Sequence, residues 1–252
     1  GGAGADTIFI SEGGDIVIGG SGTDEIDLTE IDDNFTNIEG GSSDASGYVV
    51  NMGSTAVSAA TIASNLSGSY ISKSLTEVAA GSHGYLFATD ATTNSSVTGT
   101  IASVENIIGT DYADYLVGSS EANTINGGSG VDYVKGGGGA DIFVATYTDI
   151  DTTVAAVTDI IGDFATGVDT IKVGTLGDDG TTYSEAGATA ADLTTLLSDA
   201  DDALDGTVKI YVGQVTGGDA YAVLDDDGTG YTSVIQLKGI TLATIAAADF
   251  VV

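Results

Sequence analysis

The sequence predicts an all-β protein, a right-handed parallel β-roll or β-helix followed by a β-rich C-terminal cap with one short helix. Three observations predict it. A nine-residue period runs through residues 1–27 and again through 109–144. Glycine is twice as frequent as usual, 38 of 252 residues against roughly 7% in an average protein. An acidic residue and a large apolar residue recur two positions apart at a constant phase of that period.

The first block of repeats divides into GGAGADTIF, ISEGGDIVI and GGSGTDEID. The second divides into GTDYADYLV, GSSEANTIN, GGSGVDYVK and GGGGADIFV. The shared pattern is G-G-x-G-x-D-x-U-x, with U a large apolar residue. Its sixth positions are Asp6, Asp15, Asp24, Asp114, Asn123, Asp132 and Asp141. Its eighth positions are Ile8, Val17, Ile26, Leu116, Ile125, Val134 and Phe143, all apolar. Chance would give that column about 0.2% of the time at this composition. Glycine permits the positive φ of a tight turn and lets backbones approach closely. The x-U-x triplet then forms a short strand whose alternation turns U to one side. Two nonads make one coil, so alternate blocks stack at strand spacing, about 4.8 Å. Ile8 then lies over Ile26 and Leu116 over Val134, with Val17 on the opposite strand.

The same stacking aligns Asp6 with Asp24, Asp114 with Asp132, and Asn123 with Asp141. Carboxylates roughly 5 Å apart repel by about 1 kcal/mol in water, and several-fold more where partly buried. A counter-ion between turns removes that penalty. Ca²⁺ suits the row, because carboxylate and carbonyl oxygens supply its roughly 6–8 hard ligands; Mg²⁺ demands a small octahedron and keeps its waters. A metal-free Gly/Asp turn repeat is the alternative.

With these residues the chain resembles the RTX, or hemolysin-type, calcium-binding nonapeptide repeat proteins. The resemblance is closest in 1–27 and 127–144. In 10–18, Ile10 and Ser11 replace the leading glycines; in 109–126, Tyr112 and Glu121 replace the inner glycine and Asn123 replaces Asp. The resemblance implies several Ca²⁺ ions, held by the sixth-position column and by turn carbonyls. Those carbonyls lie around Gly1, Gly2, Gly4, Gly13, Gly19, Gly20, Gly22, Gly127, Gly128, Gly130, Gly136, Gly137 and Gly139.

Residues 28–108 break the period and are rich in Thr, Ser and Ala. Alternation in Gly47–Met52 and Thr98–Ile101 predicts strands, and there is room for a short helix around 57–66. The segment reads as a β insertion, or a looser β-helical continuation, within a roll domain spanning 1–144. Residues 145–252 resemble the cap that follows such rolls. The run from Asp159 to Ile171 is similar to its D-x-I-x-D-F-x-x-G-x-D-x-I signature, making Asp159, Asp163 and Asp169 candidate ligands of a last calcium; plain turn acidity is the alternative. Leu193, Leu196, Leu197, Ala200 and Leu204 fall at helical spacing, predicting a helix over Thr189–Leu204 with Thr189 as N-cap and Gly206 as stop. Strands are expected at Val208–Val212, Ala220–Leu224 and Val234–Leu237. Ile235–Leu242 and Ala248–Val252 resemble the C-terminal export signal of type I secretion substrates, which implies an extracellular or cell-surface location in a Gram-negative bacterium.

The charge narrows the partners. Thirty-seven acidic residues face five lysines, for a net charge of −32. Nothing neutralises phosphates, so nucleic acid and anionic lipid are excluded. No Cys and a single His exclude disulfides, a thiolate zinc site and an H-E-x-x-H site. No apolar run is long enough for a membrane span. The start at Gly1, without Met or a leader, reads as a mature product or a piece of a longer chain, and the strand edge there reads as open to a further repeat or another subunit. His83 lies outside any nucleophile motif and is expected in a loop. Asp225–Gly230 and Asp178–Gly180 read as turns. No enzymatic role is expected. The leading reading is a calcium-binding extracellular structural protein that folds and self-assembles into a surface layer or filament on meeting external Ca²⁺; its composition resembles that of RTX-type surface-layer proteins. The alternative is a non-catalytic calcium-binding and secretion module of an RTX protease, lipase, toxin or adhesin. The expected partner is a further copy of the chain, with a cell-surface glycan as another candidate.

Overall fold

Each repeat block turns its x-U-x triplet into a strand of three or four residues. The computed structural model describes residues 1–10, 15–29, 45–66, 77–87, 98–145, 159–173, 182–204, 207–225 and 230–251. They group into two units, Gly1–Gly139 and Ala140–Val252, each mainly β with one short α-helix among the described residues.

The first unit contains β1 (Thr7–Phe9), β2 (Ile16–Ile18), β3 (Glu25–Asp27), β4 (Ala45–Asn51), β5 (Val57–Ser58), α1 (Ala59–Asn65), β6 (Glu77–Val78), β7 (Ser82–Phe87), β8 (Thr98–Ala102), β9 (Asn106–Ile108), β10 (Tyr115–Val117), β11 (Thr124–Asn126) and β12 (Asp132–Lys135). Strands β1 and β3 pair in parallel with Ile8 opposite Ile26, and β10 and β12 with Leu116 opposite Val134. Those are the partners that stacking of alternate nonads predicts. β3 then pairs with β9, and β9 with β11, placing Ile26, Ile107 and Ile125 in one buried file.

The other sheet of this unit is wider. Its order is β12-β10-β4-β7-β8-β2. β4 runs parallel to β10 and β8 parallel to β2, while β7 is antiparallel to both β4 and β8. Two reversals restore the strand direction. The stretch after β3 therefore adds three strands to one sheet and a single strand, β9, to the other. Tyr115 stacks on Tyr133 at 4.9 Å between ring centroids, filling the space behind β10 and β12. Ser58 caps α1, its hydroxyl accepting from the Thr61 N–H.

The second unit contains β13 (Ile142–Val144), β14 (Asp159–Ile161), β15 (Thr170–Lys172), β16 (Thr182–Glu185), α2 (Leu193–Ala203), β17 (Val208–Gln214), β18 (Ala220–Leu224), β19 (Ser233–Leu237) and β20 (Phe250–Val251). β15 lies between β13 and β20, parallel to both. β17, β18 and β19 form an antiparallel meander, flanked by β16 and β14. Leu196, Leu197, Ala200 and Leu204 pack α2 onto Tyr211, Val223 and Val234 of that meander.

The helix starts later than its sequence predicts. Thr189 does not cap it, because Ala190 is held in a β-bridge to Val215 and the Thr189 hydroxyl bonds that of Thr216. Asp192 takes the cap, its Oδ1 accepting from the Thr195 N–H at 2.8 Å. Gly206 lies outside the described residues. His83 is a further correction: it is a buried strand residue of β7, not a loop residue, and its ring stacks on Tyr48.

Candidate metal centre: the stacked acidic turns

The sixth-position side chains draw on one two-part hydrogen-bond rule, of which Asn123, with its single oxygen, keeps the first part and Asp24 and Asp132 keep the second. One oxygen accepts from the backbone N–H four residues earlier, tying the turn to itself: Gly2 to Asp6 at 2.8 Å, Thr110 to Asp114 at 2.6 Å, and Ser119 to Asn123 at 2.7 Å. The other oxygen accepts from the sixth-position N–H of the adjoining turn. Asp24 receives Asp6 at 2.9 Å and Asp132 receives Asp114 at 2.8 Å. The carboxylates thus face inward and knit the turns together. Asp24, Asp114, Asn123, Asp132 and Asp141 are buried, while Asp6 and Asp15 are partly exposed.

Burial has an electrostatic cost. It pushes the Asp114 carboxyl up to about 7, against hydrogen bonds from Thr110 and Tyr48 that pull it down. An added cation shifts that balance toward the carboxylate.

The donor set fits a hard, oxygen-loving cation. A methyl group placed on Gly1 would lie 2.1 Å from the Gly19 carbonyl oxygen and 2.6 Å from Asp6 Oδ2. On Gly109 it would lie 2.0 Å from the Gly127 carbonyl oxygen and 2.6 Å from Asp114 Oδ2. A carbonyl and a carboxylate therefore converge at the start of each of these turns, where only glycine leaves the space open. Gly22 shows the second glycine requirement: its φ is +142°, and a side chain there would meet the Gly4 carbonyl at 1.9 Å. Asp24 Oδ2 is buried with no hydrogen-bond partner. Among the described residues no three carboxylates or imidazoles gather at one point. A cation here takes mainly backbone carbonyls, which is ordinary for Ca²⁺.

Other expected residues fall differently. Asp15 does not stack on a repeat aspartate; its carbonyl accepts from Thr100 N–H at 3.0 Å and contacts His83 Nε2 at 3.1 Å. Gly13 lies outside the described residues. In the second unit Asp169 obeys the hydrogen-bond rule, receiving Asp141 N–H at 3.0 Å and Ala165 N–H at 2.8 Å. Asp159 opens β14, in the sheet of the meander, and Asp163 follows it, so these two and Asp169 form no three-carboxylate group.

Three residues outside the expected column make similar bonds from side-chain oxygen to backbone N–H. Glu105 Oε2 accepts from Asp24 N–H at 2.8 Å, and Asn106 Oδ1 from Thr124 N–H at 2.9 Å. Asp249 receives Gly167 N–H at 2.7 Å and Ala246 N–H at 2.8 Å. For Asp169 the signal was present: Gly167-x-Asp169-x-Ile171 keeps the repeat's inner spacing. For Glu105 and Asp249 no full nonad surrounds the residue.

Glycine turns stacked on inward carboxylates define a class of acidic, cation-binding repeat proteins. The family comparison narrows the class: residues 1–26 and 108–143 match the RTX calcium-binding nonapeptide repeat, in four copies. These segments are RTX repeats, and their cation is Ca²⁺. A comparison with individual curated proteins finds no match. Proteins with such repeats are typically secreted. Among the described residues no helix is long and apolar enough to cross a membrane.

Proposed function

We propose that the repeats wind into a right-handed parallel β-roll whose turns hold a row of Ca²⁺, and that the chain is an extracellular structural protein that folds and self-assembles on meeting external calcium. The observation that carries the reading is the buried, hydrogen-bonded aspartate ladder in a chain of net charge −32. Asp6, Asp24, Asp114 and Asp132 would hold the ions together with the turn carbonyls around them. The bound ions supply charge neutralisation and cross-linking between successive turns, and no catalytic role is assigned.

Extracellular calcium sites bind at about 10⁻⁴–10⁻³ M. The chain then stays unfolded in a calcium-poor cytosol and folds outside. The position of the export-like segment supports that order. β19 is interior to its sheet, between β18 and β14, so an exporter reaches it only before the cap folds. Exposed apolar side chains support assembly: Phe9 on β1 is 59% exposed, and Ile16 and Ile18 on β2 are 77% and 58% exposed.

Far-UV circular dichroism and negative-stain microscopy, at millimolar Ca²⁺ and after chelation, test the reading. Ordered sheets or fibres that dissolve in chelator are expected. Dispersed particles with calcium-dependent dichroism would sink assembly and favour a secretion module. No calcium response would sink the calcium-loaded roll.

A further inference from the structure

The two RTX segments are separated by the stretch 27–107, yet β3 at the end of the first segment pairs directly with β9 beside the second. The turn that faces Gly19–Asp24 is therefore not a repeat turn. It is Ser103-Val104-Glu105, three residues in place of six. Backbone bonds fix the correspondence. Gly19 N–H donates to Ala102 O as Gly1 N–H donates to Ile18 O, and Asn106 N–H donates to Asp24 O as Glu25 N–H donates to Asp6 O. Ser103 thus stands at the first position of the turn and Glu105 at the sixth. Ser103 has φ +53°, left-handed backbone of the kind repeat turns reserve for glycine.

Asp24 is the aspartate that faces this turn. It is 1% exposed, and its Oδ2 has no hydrogen-bond partner, whereas the matching oxygens of Asp6, Asp114 and Asp169 accept from their own turns. A methyl group on Gly19 would lie 2.6 Å from that oxygen and 1.8 Å from the Ser103 carbonyl oxygen. The two oxygens converge on one point, close enough to share a Ca²⁺ whose ligands sit about 2.3–2.6 Å away. Glu105 already reaches Asp24 N–H with Oε2, bringing a second carboxylate to the same turn. Its extra methylene spans the gap that the shortened turn leaves.

We infer that Asp24, the Ser103 carbonyl and Glu105 form a calcium site outside the nonapeptide pattern, which clamps the first RTX segment onto the end of the insertion. The inference rests on the calcium reading above. Neither Ser103 nor Glu105 lies in a matched repeat.

Equilibrium dialysis of the full chain against Ca²⁺ tests it by counting bound ions. Glu105→Gln keeps an acceptor for Asp24 N–H and loses the charge; Asp24→Asn keeps an acceptor for Asp6 N–H. Glu105→Gln should bind one ion fewer than the parent, with unchanged far-UV dichroism in calcium; Asp24→Asn, which also serves the repeat turn of Asp6, should lose at least that ion, and the double variant no more than Asp24→Asn alone. A parent-like ion count in Glu105→Gln would overturn this site while leaving the repeat sites intact. A parent chain that binds no calcium would instead overturn the calcium reading, and this site with it.

Discussion

At the scale of single residues, each repeat position is set by one physical demand. Gly22, at a fourth position, takes positive φ beneath the Gly4 carbonyl, so Gly22→Ala adds strain and a clash with that oxygen. It should raise the calcium concentration needed for half-maximal folding, read by circular dichroism. The sixth position must accept a backbone N–H group, and Asp, Asn and Glu all do so here. Asp192 meets a similar demand outside the repeats. Its hydrogen bonds from Thr195 hold its carboxyl below the usual carboxylate range. A lowered folded pKa contributes stability that is present above the ordinary Asp value, about 3.9, and is lost as pH falls through the folded value. Asp192→Ala should therefore lower Tm at pH 7, and the difference from the parent should shrink below about pH 4.

At the scale of elements, strands this short are stable only through their stacked neighbours. Leu116 is fully buried between Val50 and Val134, its partners across β4 and β12. Leu116→Ala should cost about 2–5 kcal/mol, measured by denaturant unfolding in calcium. Much of this level was legible. The x-U-x triplets, the meander strands and the apolar face of α2 follow from periodicity alone. The start of α2 was not, because a β-bridge at Ala190 outcompetes helix propensity after Thr189. Nor was the pairing of β4, β7 and β8: alternation in Gly47–Met52 announces a strand, but its neighbours are chosen by contacts far along the chain.

At the scale of the whole molecule, the proposed function makes charge and ligand decide whether the chain folds. A net charge of −32 opposes compaction until cations enter the turns. Each independent site adds about 1.4 kcal/mol at tenfold saturation, and several together rival the 5–15 kcal/mol of an ordinary domain. Tm should accordingly rise with calcium concentration, and most steeply against its logarithm once the weakest site fills. On the proposed function, assembly is separable from folding. Ile16→Ser, on the exposed face of β2, should leave the calcium-folding midpoint near that of the parent and disperse any sheets seen by microscopy.

The sequence alone determined the repeat period, the inward apolar file, the acidic column and the identity of the cation, because these depend on spacing and chemistry that repeat every nine residues. Tertiary structure decided where the column continues across breaks in that period. Glu105 and Asp249 join it because stacked backbones present N–H groups at fixed heights, and any acceptor that reaches that height serves. The same stacking left Asp15 beside His83 and Thr100 instead of a second aspartate, since three inserted strands stand between β2 and β10.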